Sequence, residues 1–246
     1  MDKNLSPYIH TEDVHNFIAP RLVIPFILSL LEVKSVLDVG CGIGTWLKVF
    51  EEHGVRDLIG VDGNHVDQKL LKISPDKFRS HDLREHLNLG RKFDLALCLE
   101  VVEHLPESSA SLVVNTLVDY SDFVLFSAAI PGQGGQHHIN EQWLSFWVQQ
   151  FEKFGYDMHD IVRPKFWKNE NVDVWYRQNM VLFCKRGHPI EKHLLSLAST
   201  CVDIVHPDLF DFYFRQSERA AMFEDGKIGI KLAFSSLWRA MVHKFK

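Results

Sequence analysis

The sequence has little that would anchor it outside the cell interior or in a membrane. Only four cysteines occur in 246 residues, at positions 41, 98, 184 and 201, and no two are spaced as in a metal knuckle or a dithiol motif. Three of them (Cys41, Cys98, Cys184) lie in apolar runs, which predicts packed, reduced thiols rather than a disulfide framework. No apolar stretch approaches the roughly 20 residues that a membrane span requires. The longest, Leu22–Leu31, is interrupted by Pro25 and Ser29. No charged segment followed by an apolar core opens the chain, so a cleaved signal peptide is not expected and cytoplasm is the default compartment.

An excess of positive charge is also missing. The net charge is −5, and the basic residues are unevenly placed. Residues 226–246 hold Lys227, Lys231, Arg239, Lys244 and Lys246 with no acid, leaving 22 basic against 32 acidic residues elsewhere. Such a body is a poor surface for replacing counterions around phosphates, which argues against a nucleic-acid partner. Disorder is excluded by what is present: 18 Phe, 6 Trp and 5 Tyr supply ample area to bury.

Three regions separate by pattern: a helical segment at 1–34, an alternating region at 35–186, and a helical extension at 187–246. In the first, Thr11 is a candidate N-cap, and Pro20 and Pro25 are expected to break the helix into pieces. The second alternates short apolar runs with amphipathic stretches, the pattern of a mostly parallel, doubly wound α/β sheet. Strands are predicted at 35–39, 58–61, 78–81, 93–99, 123–129 and 180–185, with a weaker one near 160–163. Helices are predicted at 45–53, 66–72, 109–118 and 141–154.

The most informative stretch runs from Ser35 to Trp46, where a buried strand meets Gly40-x-Gly42-x-Gly44 and then a helix. Glycines there let the backbone turn sharply and approach a ligand, beside the free N–H groups of a helix start. The spacing differs from the dinucleotide fingerprint, with Thr45 where its last glycine would fall. Asp38, inside the strand, attracts an ammonium and repels a diphosphate. Further acids end successive strands. Asp62 is placed to accept ribose hydroxyls and Asp82 an adenine amino group, and Glu100 follows the fourth strand.

At these residues the sequence resembles the class I S-adenosylmethionine-dependent methyltransferases over roughly residues 30–186, most specifically at Leu37-Asp-Val-Gly-Cys-Gly-Ile-Gly44. The resemblance implies a Rossmann-like sheet of seven strands with the last antiparallel. It also implies S-adenosylmethionine as cofactor, leaving as S-adenosylhomocysteine. Asp38, Gly40, Gly42 and Gly44 would hold its methionine part, Asp62 the ribose, and Asp82 with Leu83 the adenine, while Glu100 would pass beneath the sulfonium. The segments 126–141 and 175–179 look like a subgroup of bacterial and viral glycan biosynthesis, in which a sugar hydroxyl is the acceptor.

Transfer to a hydroxyl requires alignment and removal of a proton, a task suited to histidine. His138, His137 and His104, in that order, are the candidate bases, since both of their loops leave the carboxyl edge of the sheet. With 14 histidines in the chain, a structural role for each stands as the alternative. No acids at diagnostic spacing accompany the His137–His138 pair and Glu141, so no metal is assigned. Tyr8, Glu103, Arg163, Trp167 and Tyr176 are candidate substrate contacts, with core packing the competing role for Trp167.

The segment before the first strand fits a lid over the cofactor. The tail at 227–246 sets Ile230, Phe234, Leu237, Trp238, Met241 and Phe245 on one face of a basic helix. That face fits the inner membrane surface, intramolecular packing on the domain, a second subunit or a glycosyltransferase partner alike. The expected function is O-methylation of a sugar hydroxyl. The alternatives are a small-molecule methyltransferase acting on a carboxylate, amine or phenol, and a non-catalytic cofactor-binding scaffold.

Overall fold

The computed structural model describes residues 16–197 and 201–224. Candidate residue Tyr8, the proposed cap Thr11 and the basic tail at 227–246 lie outside the described residues.

Seven strands form one sheet: β1 (Ser35–Val39), β2 (Asp57–Asp62), β3 (Phe78–Ser80), β4 (Leu95–Leu99), β5 (Phe123–Ser127), β6 (Tyr156–His159) and β7 (Val181–Lys185). Their order is β3-β2-β1-β4-β5-β7-β6. All pairs are parallel except those that β7 makes with β5 and β6. This is the doubly wound architecture that the alternation predicted. The strand order reverses between β1 and β4, which opens a crevice beyond their carboxyl ends.

Period-two alternation explains why the sheet is covered on both sides. Along β4, Leu95, Leu97 and Leu99 face one core, while Ala96 and Cys98 face the other. The first core is closed by α1 (Ile18–Leu30) and α2 (Thr45–Glu52), and includes Ile24, Leu47 and Phe50. The second is closed by α3 (Ala110–Tyr120) and α4 (Leu144–Glu152), with Val114, Trp147 and Phe151. Phe151 stacks on Phe183 with ring centroids 3.8 Å apart. Cys41, Cys98 and Cys184 are buried, as their apolar contexts predicted, and Cys201 is exposed.

Several elements differ from expectation. Residues 18–30 form one helix despite two prolines. Pro20 falls in the first turn, where its missing N–H has no intrahelical partner to lose. Pro25 is exposed, as is Arg21 four residues back, so the carbonyl freed by Pro25 can be solvated. The helix predicted at 66–72 is only a single 3₁₀ turn, Gln68–Leu70, set by the Asp67 carboxylate accepting from Lys69 N–H. The sixth strand lies at 156–159, not 160–163. Residues 162–166 are instead a short helix, α5 (Val162–Phe166), followed by α6 (Val174–Asn179).

Arg163 sits in that helix with both its own and Asp160's side chain 1% exposed. Its guanidinium makes two 2.9 Å bonds to the Asp160 carboxylate and donates to the carbonyls of Cys201 and Val202. The assignment of Arg163 as a substrate contact is therefore corrected. A guanidinium with its donors committed to a buried acid and to main chain straps residues 201–202 onto the domain. Arg163→Met, which leaves the Asp160 charge buried and unpaired, is expected to cost about 3–5 kcal/mol in denaturant unfolding. A change below about 1 kcal/mol would show the strap to be dispensable.

The chain forms two compact units that divide after Ile204. The first unit contains the sheet and also α7 (Glu191–Leu197). The second, from Val205, contains α8 (Pro207–Glu224), in which Phe210 and Phe214 stack at 5.9 Å. No helix among the described residues is long and apolar enough to cross a membrane.

Candidate active site

The glycine turn is shaped by backbone geometry that other residues resist. Gly40, Gly42 and Gly44 have φ of +84°, +51° and +82°. A Cβ on Gly40 would lie 2.3 Å from Val101 Cγ2, so β1 can pass this close to the loop after β4 only through glycine. Asp62, at the end of β2, fixes the turn from outside. Its Oδ2 accepts from Gly42 N–H at 2.7 Å and its Oδ1 from Gly63 N–H at 2.6 Å.

Asp38 lies beneath the turn, 2% exposed. Burial, and then the neighbouring Asp62 charge, push its pKa up to about 8. No hydrogen bond to the carboxylate offsets that cost, which makes it an acid suited to a ligand's ammonium. Asp82 follows β3, where Arg84 binds it through Nε and Nη2 and holds its pKa down at about 2. The adjacent Leu83 is half-buried. The residues expected around an S-adenosylmethionine thus line successive strand ends. An orphaned buried acid at one end and a cradle closed to any Cβ fit that group.

Glu100 ends β4 with φ +53°, a left-handed conformation that costs a non-glycine residue energy. Tertiary bonds over-determine it. Gln133 Nε2 donates to Oε2 at 2.9 Å, Asn179 Nδ2 donates to Oε1 at 3.1 Å, and Ser127 Oγ accepts from the Glu100 N–H at 3.1 Å. Gln133 and Asn179 were not picked out from sequence, since their roles depend on pairings across the sheet.

The histidines converge as well. His138 Nδ1 lies 2.8 Å from Glu141 Oε1, whose carboxylate also accepts from Gly132 and Gly134 N–H and so folds the glycine-rich loop. The rings of His138 and His104 meet edge-to-face with centroids 4.9 Å apart. Burial, reinforced by His138, lowers the His104 pKa to about 4. A histidine so hard to protonate is a weak base, which leaves His138 the better placed of the two. His137, with φ +62°, is, like Glu100, a non-glycine residue in the left-handed region.

Glu103 is 0% exposed, with the Glu100 side chain and the main chain of Ala129 beside its carboxyl group. Its assignment as a direct substrate contact is corrected, because a fully enclosed carboxylate offers no surface to an acceptor. Burial and the nearby Glu100 push its pKa well up. Tyr176 is half-buried, packs edge-to-face on Trp46 at 5.3 Å and accepts a long 3.4 Å bond from its Nε1. Trp167 is half-buried too, and its carbonyl accepts from Arg177 Nη1.

Residues 11–116 match the family model described as a methyltransferase domain. Ubiquinone biosynthesis O-methyltransferase of Coxiella burnetii is 33% identical over 85 residues, covering 31% of this chain and 35% of that protein. Its counterpart in Rhodopseudomonas palustris is 35% identical over 92 residues, covering 35% of each. The chain therefore matches only about a third of the length of these curated relatives. Among solved structures, the sugar N-methyltransferase KedS8 from Streptoalloteichus shares the fold, with TM-score 0.55 and 15% identity over 76% of this chain and 97% of that one. Residues 11–116 thus match a methyltransferase domain, the sheet has the Rossmann-like methyltransferase fold, and the residues at its strand ends fit S-adenosylmethionine as the cofactor.

Proposed function

We propose that the protein is an O-methyltransferase whose acceptor is a sugar hydroxyl. The observation that carries hydroxyl transfer is the Glu141–His138 pair in the loop following β5, on the same sheet edge as the glycine turn. When bound, the cofactor supplies a methyl group already activated on sulfonium. The chain's own residues then hold its ends, orient the acceptor and take a proton. Glu141 accepts from His138 Nδ1–H and so selects the tautomer that leaves Nε2 free to receive the acceptor's proton. The sugar assignment rests on the resemblance of segments 126–141 and 175–179 to glycan-modifying enzymes.

A second reading, O-methylation of a small molecule such as a ubiquinone precursor, is favoured by the names of the matched relatives, which are ubiquinone biosynthesis O-methyltransferases. The two are separated by incubating the protein with methyl-labelled S-adenosylmethionine and fractionated bacterial lysate. Label in nucleotide-sugar or polysaccharide fractions is the expected result. Label confined to lipid-soluble small molecules would replace the sugar with the second acceptor.

A further inference from the structure

We infer that Glu103, His104 and His138 form a binding site for one divalent transition-metal cation. Each offers a ligand atom, and these atoms all lie within 4.8 Å of one another. Ligands about 2.1 Å from one cation stand at most about 4.2 Å apart, so small side-chain rotations close the set.

Three further features point to a cation. Glu103 is wholly buried, where a bound cation would compensate its carboxylate. Glu100 stands beside it, so two carboxyl groups share the same enclosure. Glu141 accepts from His138 Nδ1, the outer-shell carboxylate–histidine contact that fixes a metal-binding imidazole with Nε2 presented. Two imidazoles with one carboxylate suit zinc, cobalt or iron better than magnesium or calcium, which prefer oxygen throughout.

The site stands on this geometry alone, whereas its use in catalysis rests on the methyl transfer proposed above. A cation here would lie at the sheet edge that carries the glycine turn, where it could hold an acceptor oxygen and lower its pKa. His138 would then serve as ligand rather than as free base.

The test is titration of chelator-stripped, full-length protein with Co²⁺, followed by ligand-field absorption and calorimetry, with Zn²⁺ as competitor. One equivalent is expected, displaced by Zn²⁺. Glu141→Gln is expected to weaken it about 10–100-fold. Glu103→Gln and His138→Asn are each expected to weaken it at least as much. S-adenosylhomocysteine binding by each variant serves as the check on folding, and His138→Asn, at a half-buried position, keeps the test open if Glu103→Gln does not fold. Absence of saturable binding, or binding that a folded His138→Asn variant retains at wild-type affinity, overturns the inference. Neither outcome bears on whether methyl transfer occurs, because that is read separately from labelled cofactor.

Discussion

Replacing His138 with glutamine is expected to lower kcat about 10²- to 10⁴-fold while leaving cofactor affinity unchanged. The contacts of His138 are with Glu141 and His104 rather than with the glycine turn proposed to hold the cofactor. Glu141→Gln is expected to lower kcat in the same direction by a smaller factor, since its carboxylate acts through the imidazole and through two loop N–H groups. Steady-state kinetics with saturating cofactor checks both. A turnover within about threefold of wild type in His138→Gln would remove this histidine from the reaction, whether as base or as ligand, because loss of a positioned base costs far more than that.

The second large effect concerns Asp38. Asp38→Asn is expected to weaken S-adenosylhomocysteine binding roughly 10- to 100-fold, the worth of a hydrogen bond to a charged group in a buried site. A specific pH dependence accompanies it. With a folded-state pKa of about 8, Asp38 holds its proton at neutral pH in the ligand-free protein. Binding an ammonium requires the carboxylate, so below that pKa binding releases a proton and affinity climbs as pH rises toward 8.

For stability the sign is opposite. The folded pKa is raised above the unfolded one, so the ligand-free protein loses stability as pH rises through the interval between them, and ligand restores it. Calorimetry in buffers of different ionisation enthalpy reads the released proton directly. Asp38→Asn should abolish the release. Equal proton release by wild type and variant would assign the linkage to another group.

The contrast between what was legible and what was not follows from the range of the interactions. β1, the glycine turn and α2 were readable because an apolar run, three glycines and an amphipathic helix are local signals, and the strand predicted at 35–39 is the strand observed. Asp62 was identified as a site acid, but its bonds to Gly42 and Gly63 N–H, which shape the turn, needed coordinates. β6 escaped because an edge strand carrying Asp157 and His159 lacks the apolar density of the inner strands. The stretch 66–72 has apolar spacing, but the Asp67 side chain caps a single turn.

Tertiary partners explain the remaining differences. Arg163 carries the chemistry of an anion ligand, and only the position of Asp160 inside the core reveals its structural use. Glu103 follows a strand end like the other acids, yet burial separates it from them. Asn179 reaches Glu100 from 79 residues away, a pairing no spacing rule contains.

The strand-end acids and glycine turn are proposed to hold S-adenosylmethionine beside the His138–Glu141 pair. A crystal structure with S-adenosylhomocysteine bound tests this placement most directly. The ligand's ammonium is expected on the Asp38 carboxylate, its ribose hydroxyls on Asp62, its adenine by Asp82 and Leu83, and its sulfur facing the side of the crevice that carries Glu100 and His138. Density for the ligand elsewhere, or with its ammonium turned away from Asp38, would contradict it.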